Sequence, residues 1–98
     1  MVPERILLFI PMYNCEPQIG RVIAQLTPEV QALLNEVIVV NNRSSDRGQD
    51  AAITALRDVQ AITTKVLLND ENYGLGGSHK VALNYALENA FAYVIVLH

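Results

Sequence analysis

Residues 36–46 read Glu-Val-Ile-Val-Val-Asn-Asn-Arg-Ser-Ser-Asp and carry the clearest structural signal in the chain. The apolar run Val37–Val40 ends at two adjacent carboxamides, Asn41 and Asn42, and a helix signal follows at once. This pattern predicts a buried strand that delivers polar side chains to its C-terminal end. In open parallel α/β sheets, ligands bind in the crevice at that end of the strands.

The segment Arg5–Asn14, which reads Arg-Ile-Leu-Leu-Phe-Ile-Pro-Met-Tyr-Asn, has the same design. Pro11 cannot donate to a strand ladder, so the first strand is predicted to end there. Tyr13 offers a flat ring and a hydroxyl to a nucleobase, or it packs over the strand end with Asn14 in an Asx turn. Two strands that end in polar loops predict one binding crevice built from both.

Strand and helix signals alternate along the chain in the order β-α-β-α-β-α-β. The predicted strands are Arg5–Pro11, Glu36–Asn41, Thr64–Leu68 and Tyr93–Leu97. Such alternation implies a mostly parallel sheet with right-handed crossovers. The predicted fold class is therefore α/β, with an open sheet of about four strands and helices on both faces, as in half of a Rossmann-like domain.

Three side chains are predicted to cap helix N-termini: Thr27 ahead of Pro28, Asp46 with Gln49, and Ser78 ahead of a helix over Lys80–Asn89. Helical spacing predicts which residues of the last two helices face the core. They are Ala52, Ile53, Leu56 and Val59 in one helix, and Ala82, Leu83, Ala86, Leu87 and Ala90 in the other.

A glycine-rich segment, predicted to be a loop over residues 69–77, contains Gly74 and Gly76. Free N–H groups at a helix N-terminus attract anions, so the loop either approaches phosphates or simply allows a tight turn. A dinucleotide fingerprint would need a third glycine where His79 stands, and a phosphate-binding P-loop would need Ser or Thr where Val81 stands. Neither established phosphate motif is present.

Composition narrows the class of protein further. The chain has 98 residues, 51% of them apolar and 17% charged, which predicts one globular domain. Its seven basic residues are scattered and its net charge is −3, so nucleic acid is not the expected partner. Cys15 is the only cysteine, which excludes a disulfide framework. The N-terminus lacks a signal-peptide pattern, and we expect a cytoplasmic location, with membrane association of a longer parent protein left open.

Together these motifs resemble the N-terminal half of the nucleotide-sugar domain of family 2 glycosyltransferases, which have the GT-A fold. Residues 11–14 match Pro-x-Tyr-Asn, residues 40–46 stand where the family has Val-Asp-Asp-Gly-Ser-x-Asp, and residues 72–74 match Asn-x-Gly. Polyprenyl-phosphate sugar transferases are the most similar members, which implies a role in cell-envelope glycan synthesis. On this resemblance, residues 1–98 form the N-terminal part of the domain, truncated before the expected Asp-x-Asp motif.

The resemblance also implies a donor site. Its substrate-binding residues are Pro11, Tyr13, Glu16, Val40, Asn42, Gly74 and Gly76. Asn41 and Asn42 replace the two aspartates of the family motif, and Arg43 replaces its glycine. Asn42 could accept and donate hydrogen bonds to a base as a neutral partner, where an aspartate would do so with charge assistance.

The implied activity is that of the donor-nucleotide-binding half of an inverting glycosyltransferase that uses a UDP- or GDP-linked sugar. Neither catalytic nor metal-binding residues are expected in this chain, because the Asp-x-Asp ligands of Mg²⁺ or Mn²⁺ would follow it. The isolated chain should therefore bind nucleotide weakly and transfer no sugar to the acceptor, which the sequence does not identify. The two asparagines keep open the alternative of a non-catalytic α/β module that binds a nucleotide or a partner. Self-association through the apolar strand Tyr93–Leu97 is also expected.

Overall fold

Four strands form one all-parallel sheet in the computed structural model, which describes residues 4–98. The strands are β1 (Ile6–Met12), β2 (Glu36–Asn41), β3 (Thr63–Leu68) and β4 (Tyr93–Val96). The helices are α1 (Glu16–Ala24), α2 (Pro28–Gln31), α3 (Gly48–Leu56) and α4 (Gly74–Glu88). The predicted α/β class and the parallel sheet are thereby confirmed, and the strand bounds agree with the prediction to within one residue. β1 continues one residue past Pro11, its predicted end, because Met12 still pairs with Asn41 of β2. None of the helices in the described residues is long and apolar enough to cross a bilayer.

The strand order in the sheet is β3-β2-β1-β4. The chain therefore moves outward from β1 to β3 and then returns to the other side of β1 to add β4. Leu8 of β1 aligns with Val37 of β2 on one side and with Ile95 of β4 on the other. The reversal of direction makes the C-terminal ends of β1 and β4 the switch point, where a crevice opens in sheets of this kind.

Both faces of the sheet are covered, because successive residues of a strand point to opposite sides. Leu8 and Ile10 of β1 pack on the side of α1 and α3, whereas Leu7 and Phe9 pack on the side of α4. All four side chains are buried. Burying a side chain of this size stabilises the fold by about 1.5–3 kcal/mol.

Helix α2 is short and begins as predicted. The Thr27 hydroxyl accepts a hydrogen bond from the backbone N–H of Val30 at 3.4 Å, which confirms the predicted cap. Gln31 at the end of α2 is buried, and its side-chain amide donates to the carbonyl of Leu26 at 2.6 Å. The polar atoms of this turn are thus satisfied within the chain.

Helix α3 departs from the prediction at its start and on one face. The capping box does not form, because Gln49 accepts a hydrogen bond from Asn41 at 2.9 Å and is not available to the helix N-terminus. Asp46 accepts from the backbone N–H of Gly48 at 2.9 Å and still supports the first turn. Ile53 was predicted to face the core but lies 42% exposed on the solvent side.

Helix α4 is longer than predicted, since it begins at Gly74 and not near Lys80. Residues 74–77 are therefore helical, and the prediction that they belong to a loop is wrong. Ser78 does not cap the helix; it lies inside α4 and is buried. The physical reason is that the side chain of Asn72 accepts a hydrogen bond from the N–H of Gly74 at 2.8 Å, which allows the helix to start there.

The packing face of α4 is also narrower than predicted. Ala82 and Ala86 are buried against the sheet, but Leu83 and Leu87 are 53% and 79% exposed. Ala90, also predicted to pack, lies beyond the helix end and is exposed. The two buried alanines bring the helix backbone close to the sheet, and this orientation turns the larger leucines outward.

Candidate functional site

A cleft of about 290 Å³ opens at the C-terminal ends of the strands, at the switch point of the sheet. Residues at or just after the ends of β1, β2 and β4 contribute to its walls, together with Asn72 and the first turns of α4. They are Pro11, Met12, Tyr13, Asn42, Asn72, Gly74, Leu75, Ser78 and His98. A mixed lining of ring, aliphatic, amide and hydroxyl groups suits a ligand with a flat ring and polar edges.

The cleft brings together four of the residues proposed from the sequence. Pro11 and Tyr13 come from the end of β1, Asn42 follows β2, and Gly74 begins α4. The ring of Tyr13 is about half exposed and accessible for stacking. The hydroxyl and ring of this residue and the amide of Asn42 all lie at the cleft.

Three other proposed residues do not line the cleft. Glu16 begins α1, and its side chain accepts from the backbone N–H of Arg47, the residue before α3, at 3.0 Å. Val40 is fully buried within β2, in the core cluster that contains Phe9. Gly76 is exposed on the first turn of α4, outside the cleft lining.

Asn42 is the centre of a hydrogen-bonded amide cluster, which we define as Asn42, Asn69, Asn72 and Ser78. The Asn42 side-chain oxygen accepts from Asn69 at 3.0 Å and from the backbone N–H of Tyr73 at 2.9 Å. Its amide nitrogen donates to the side-chain oxygen of Asn72 at 2.8 Å. Asn69 also donates to the hydroxyl of Ser78 at 3.3 Å. The cluster joins the ends of β2 and β3 to the first turns of α4.

Asn41 points away from the cleft, as expected for the neighbour of Asn42 on a strand. Its oxygen accepts from the backbone N–H and the hydroxyl of Ser44 at 2.9 and 2.7 Å. Asn41 therefore organises the turn that leads to α3. In that turn Arg43 has a φ of 64°, so it adopts the left-handed backbone that suits the glycine of the family motif.

The first turn of α4 forms one wall of the cleft and depends on its glycines. Gly74 has a φ of +75°, a conformation that side-chain-bearing residues rarely adopt. A Cβ atom at Gly77 would lie 2.3 Å from the Cβ atom of Tyr73, so this position must remain without a side chain. A Cβ atom at Gly76 would meet nothing within 4 Å.

Two histidines lie near the mouth of the cleft. The His79 and His98 rings are 6.4 Å apart between centroids, and His98 belongs to the cleft lining. His79 is held in place, because its Nδ1 donates to the carbonyl of Leu75 at 2.9 Å and its ring meets Phe9 edge to face at 5.2 Å. The Nε2 atom of His79 is left with no hydrogen bond within residues 4–98.

Sequence reasoning did not assign five of the lining residues to the site: Met12, Asn72, Leu75, Ser78 and His98. For two of them, the sequence contains information that could have assigned them to the site. His98 follows the last predicted strand, at the edge where ligands bind. Asn72 stands first in the Asn-x-Gly motif. For Leu75 and Ser78 it contains none, because their placement depends on the early start of α4.

A second polar cluster lies at the opposite end of β2 from the cleft. The hydroxyl of Tyr85 donates to the buried carboxylate of Glu36 and accepts from Lys65 at 2.8 Å. Burial raises the pKa of Tyr85, and its hydrogen bond to Glu36 raises it further. The hydrogen bond to Tyr85 raises the pKa of Lys65, followed by the attraction of Glu36. The cluster fastens α4 to the sheet and is separate from the candidate site.

Metal-binding chemistry is not provided by the part of the chain that the structure describes. Within residues 4–98 there is no group of three or more His, Cys, Asp or Glu side chains that could hold an ion. The residues of the cleft therefore do not form a site for the divalent metal that the GT-A fold implies.

Comparison with known proteins identifies the class to which this fold and cleft belong. The family model described as glycosyl transferase family 2 matches residues 7–98, and the chain belongs to that family. Within the family, the predicted likeness to polyprenyl-phosphate sugar transferases remains a prediction. No curated protein sequence matches the chain significantly.

Among solved structures, the chain is similar to a mannosyltransferase from Pyrobaculum calidifontis that was determined in complex with GDP-Man and Mn²⁺. The TM-score is 0.72 over 88% of this chain, at 20% sequence identity. The likeness shows the shared GT-A-type fold. The chain spans about a quarter of the length of that mannosyltransferase chain, since the match covers 25% of it.

Proposed function

We propose that this chain is the donor-nucleotide-binding part of an inverting glycosyltransferase that uses a UDP- or GDP-linked sugar. The observation that carries the proposal is the cleft at the switch point, which places Tyr13 and Asn42 beside the first turn of α4. The similar mannosyltransferase was solved with GDP-Man, a nucleotide sugar. Family membership supports glycosyl transfer as the activity of the whole protein.

In the proposed complex the base stacks on Tyr13 beside Pro11, and the phosphates lie near the N-terminus of α4. Base–aromatic stacking contributes about 1–3 kcal/mol per base. The free N–H groups of a helix N-terminus favour an anion. Gly74, which borders the cleft without a side chain, allows the phosphates to approach the backbone.

The proposal assigns the catalytic step to the rest of the protein. The cleft contains neither a carboxylate that could act as a base nor a metal site within residues 4–98. The implied Mg²⁺ or Mn²⁺ would be bound by residues outside this chain, as would the acceptor. We propose a cytoplasmic location for the whole protein. Association with a membrane and a role in cell-envelope glycan synthesis are compatible with this proposal.

The test is titration of the 98-residue chain with UDP and GDP, followed by NMR, with ADP as the comparison nucleotide. Weak binding of UDP or GDP, with shifts confined to residues of the cleft, and no sugar transfer from either donor are expected. Tyr13→Ala should weaken binding about fivefold or more because it removes the stacking surface. Tyr93→Ala is the matched control, since Tyr93 is similarly exposed but begins β4 at the far end of the sheet.

A second pair of variants tests the two asparagines. Asn42→Ala should weaken nucleotide binding more than Asn41→Ala does, because only Asn42 lines the cleft. Asn41→Ala should lower mainly the thermal stability, because it removes the contacts of that side chain with Ser44 and Gln49. Equal losses of affinity in the two variants, or measurable sugar transfer by the chain, would refute the proposal.

We also propose that the chain self-associates through β4, whose outer edge is free within residues 4–98. The strand Tyr93–Val96 carries no charged residue, and three of its four side chains are exposed. Unprotected apolar edges of this kind pair with other chains. Ile95→Lys should reduce the association seen by sedimentation, whereas Ile53→Lys, at a similarly exposed position on α3, should not. A strictly monomeric wild-type chain at high concentration would contradict the proposal.

A further inference from the structure

The amide cluster at the base of the cleft has a fixed direction of hydrogen bonding. A backbone N–H can only donate, so the atom that faces the N–H of Tyr73 must be the oxygen of Asn42. By the same reasoning, the atom that faces the N–H of Gly74 must be the oxygen of Asn72. The nitrogen of Asn42 therefore faces the oxygen of Asn72, in agreement with the 2.8 Å contact between them.

This arrangement uses the acceptor capacity of Asn42 completely. A carboxamide oxygen has two lone pairs, and both are directed at partners inside the chain, Asn69 and the N–H of Tyr73. One of the two amide hydrogens is directed at Asn72. A base that offers an imino N–H would find no free acceptor on Asn42, and one N–H donor of the amide is all that remains for a ligand.

We propose that Asn42 is a positioning residue, which holds the first turn of α4 against the cleft and meets a ligand only as a hydrogen-bond donor. The proposal rests on the nucleotide-binding function proposed above. It adds that the protein is the hydrogen-bond donor at this point of the site. The group recognised at this point of the ligand is then an acceptor, such as a base carbonyl, and not the imino N–H.

An amide at position 42 also fits the observed orientation of Asn72 better than a carboxylate does. A carboxylate there has no hydrogen to donate, so its oxygen would face the oxygen of Asn72 at a distance of 2.8 Å and repel it. Turning the Asn72 amide over would remove the acceptor for Gly74 and leave that N–H without its cap. A carboxylate at position 72, by contrast, accepts from both Asn42 and Gly74 without any conflict.

Two isosteric variants of the 98-residue chain test this asymmetry. In Asn42→Asp, we expect hydrogen exchange at the backbone amides of Tyr73 and Gly74 to accelerate about tenfold or more, which corresponds to losing one buried hydrogen bond. Affinity for UDP or GDP should fall about fivefold or more as the cleft wall moves. Asn72→Asp, the matched control, should leave the exchange rates of both amides within about twofold of wild type, because a carboxylate is favourable at a helix N-terminus.

Three outcomes would overturn the proposal. Higher nucleotide affinity in Asn42→Asp would mean that a charged acceptor at position 42 reads the base. Equal effects of the two variants on amide exchange, or no effect of Asn42→Asp on it, would mean that the direction of hydrogen bonding in the cluster does not determine the position of α4.

A measurement on the wild-type chain keeps the proposal testable if Asn42→Asp does not fold. Scalar couplings across hydrogen bonds should connect the backbone nitrogen of Tyr73 to the side-chain carbon of Asn42, and that of Gly74 to Asn72, with and without UDP. Loss of the Tyr73 coupling on adding UDP would overturn the proposal. If the wild-type chain binds neither UDP nor GDP, the nucleotide function fails, while the couplings and exchange rates still decide whether Asn42 positions α4.

Discussion

The neighbouring glycines 76 and 77 should respond in opposite ways to the same substitution. Alanine is favoured over glycine inside a helix by about 0.5–1 kcal/mol, so Gly76→Ala, where the new methyl group meets nothing within 4 Å, should stabilise the chain by that amount. In Gly77→Ala the new Cβ atom would lie 2.3 Å from the Cβ atom of Tyr73. Carbon atoms in contact lie about 3.5–4.0 Å apart, so the Cβ atom of Tyr73 must move by roughly 1 Å or more.

That movement has a further cost, because Cβ is attached directly to the backbone. Displacing Tyr73 removes the hydrogen bond from its N–H to Asn42, which contributes about 1 kcal/mol. Overpacking adds about 1–3 kcal/mol. After the gain in helix propensity is subtracted, Gly77→Ala should destabilise the chain by about 1–3 kcal/mol.

The two variants should therefore differ by at least about 1.5 kcal/mol, which corresponds to about 6–12 °C in Tm for a chain of this size. Thermal unfolding followed by circular dichroism, at a concentration where the chain is monomeric, measures the difference. Amide chemical shifts of Tyr73 should change in Gly77→Ala and remain in place in Gly76→Ala. Melting temperatures within about 2 °C of each other would refute the packing argument for this turn.

The remaining predictions concern the C-terminal half of α4 and the residues that follow it. Tyr85→Phe should destabilise the chain by about 2 kcal/mol, because it leaves the buried carboxylate of Glu36 without its hydroxyl donor, whereas Tyr93→Phe at an exposed position should be neutral in thermal unfolding. The pKa of Tyr85 and that of Lys65 are raised in the folded state, so their contribution to the free energy of unfolding is fully present below pH 10.0 and is lost as the pH rises through the folded-state pKa values. Urea titrations across this range should show a smaller loss in Tyr85→Phe. Ala90→Gly should stabilise by about 1 kcal/mol in the same assay, because Ala90 has a φ of 58° past the end of α4, and an unchanged midpoint would contradict that reasoning.

The sequence predicts the sheet well because its central strands, β1 and β2, contain continuous apolar runs with distinct ends. β2 begins and ends at the predicted residues, and it pairs with β1 along its whole length, from Glu36 opposite Leu7 to Asn41 opposite Met12. α4 is predicted poorly because its N-terminus depends on tertiary contacts. Glycine lowers the local helix propensity of residues 74–77, and the caps that overcome it come from Asn42 and Asn72, of which Asn42 lies far away in the sequence.

The same contacts account for what sequence reasoning reveals of the site. The resemblance to family 2 glycosyltransferases locates Asn42 at the cleft, but it carries no information about which way the amide points. That direction is set by two backbone donors on a segment whose composition predicts a loop. From the sequence, Asn42 in place of an aspartate predicts a weakened base contact. In the folded chain, its amide accepts from Tyr73 and Asn69 and donates to the Asn72 oxygen that also caps Gly74, which a carboxylate could not do. A departure from a family motif is better judged against the partners of the new side chain than against the role of the old one.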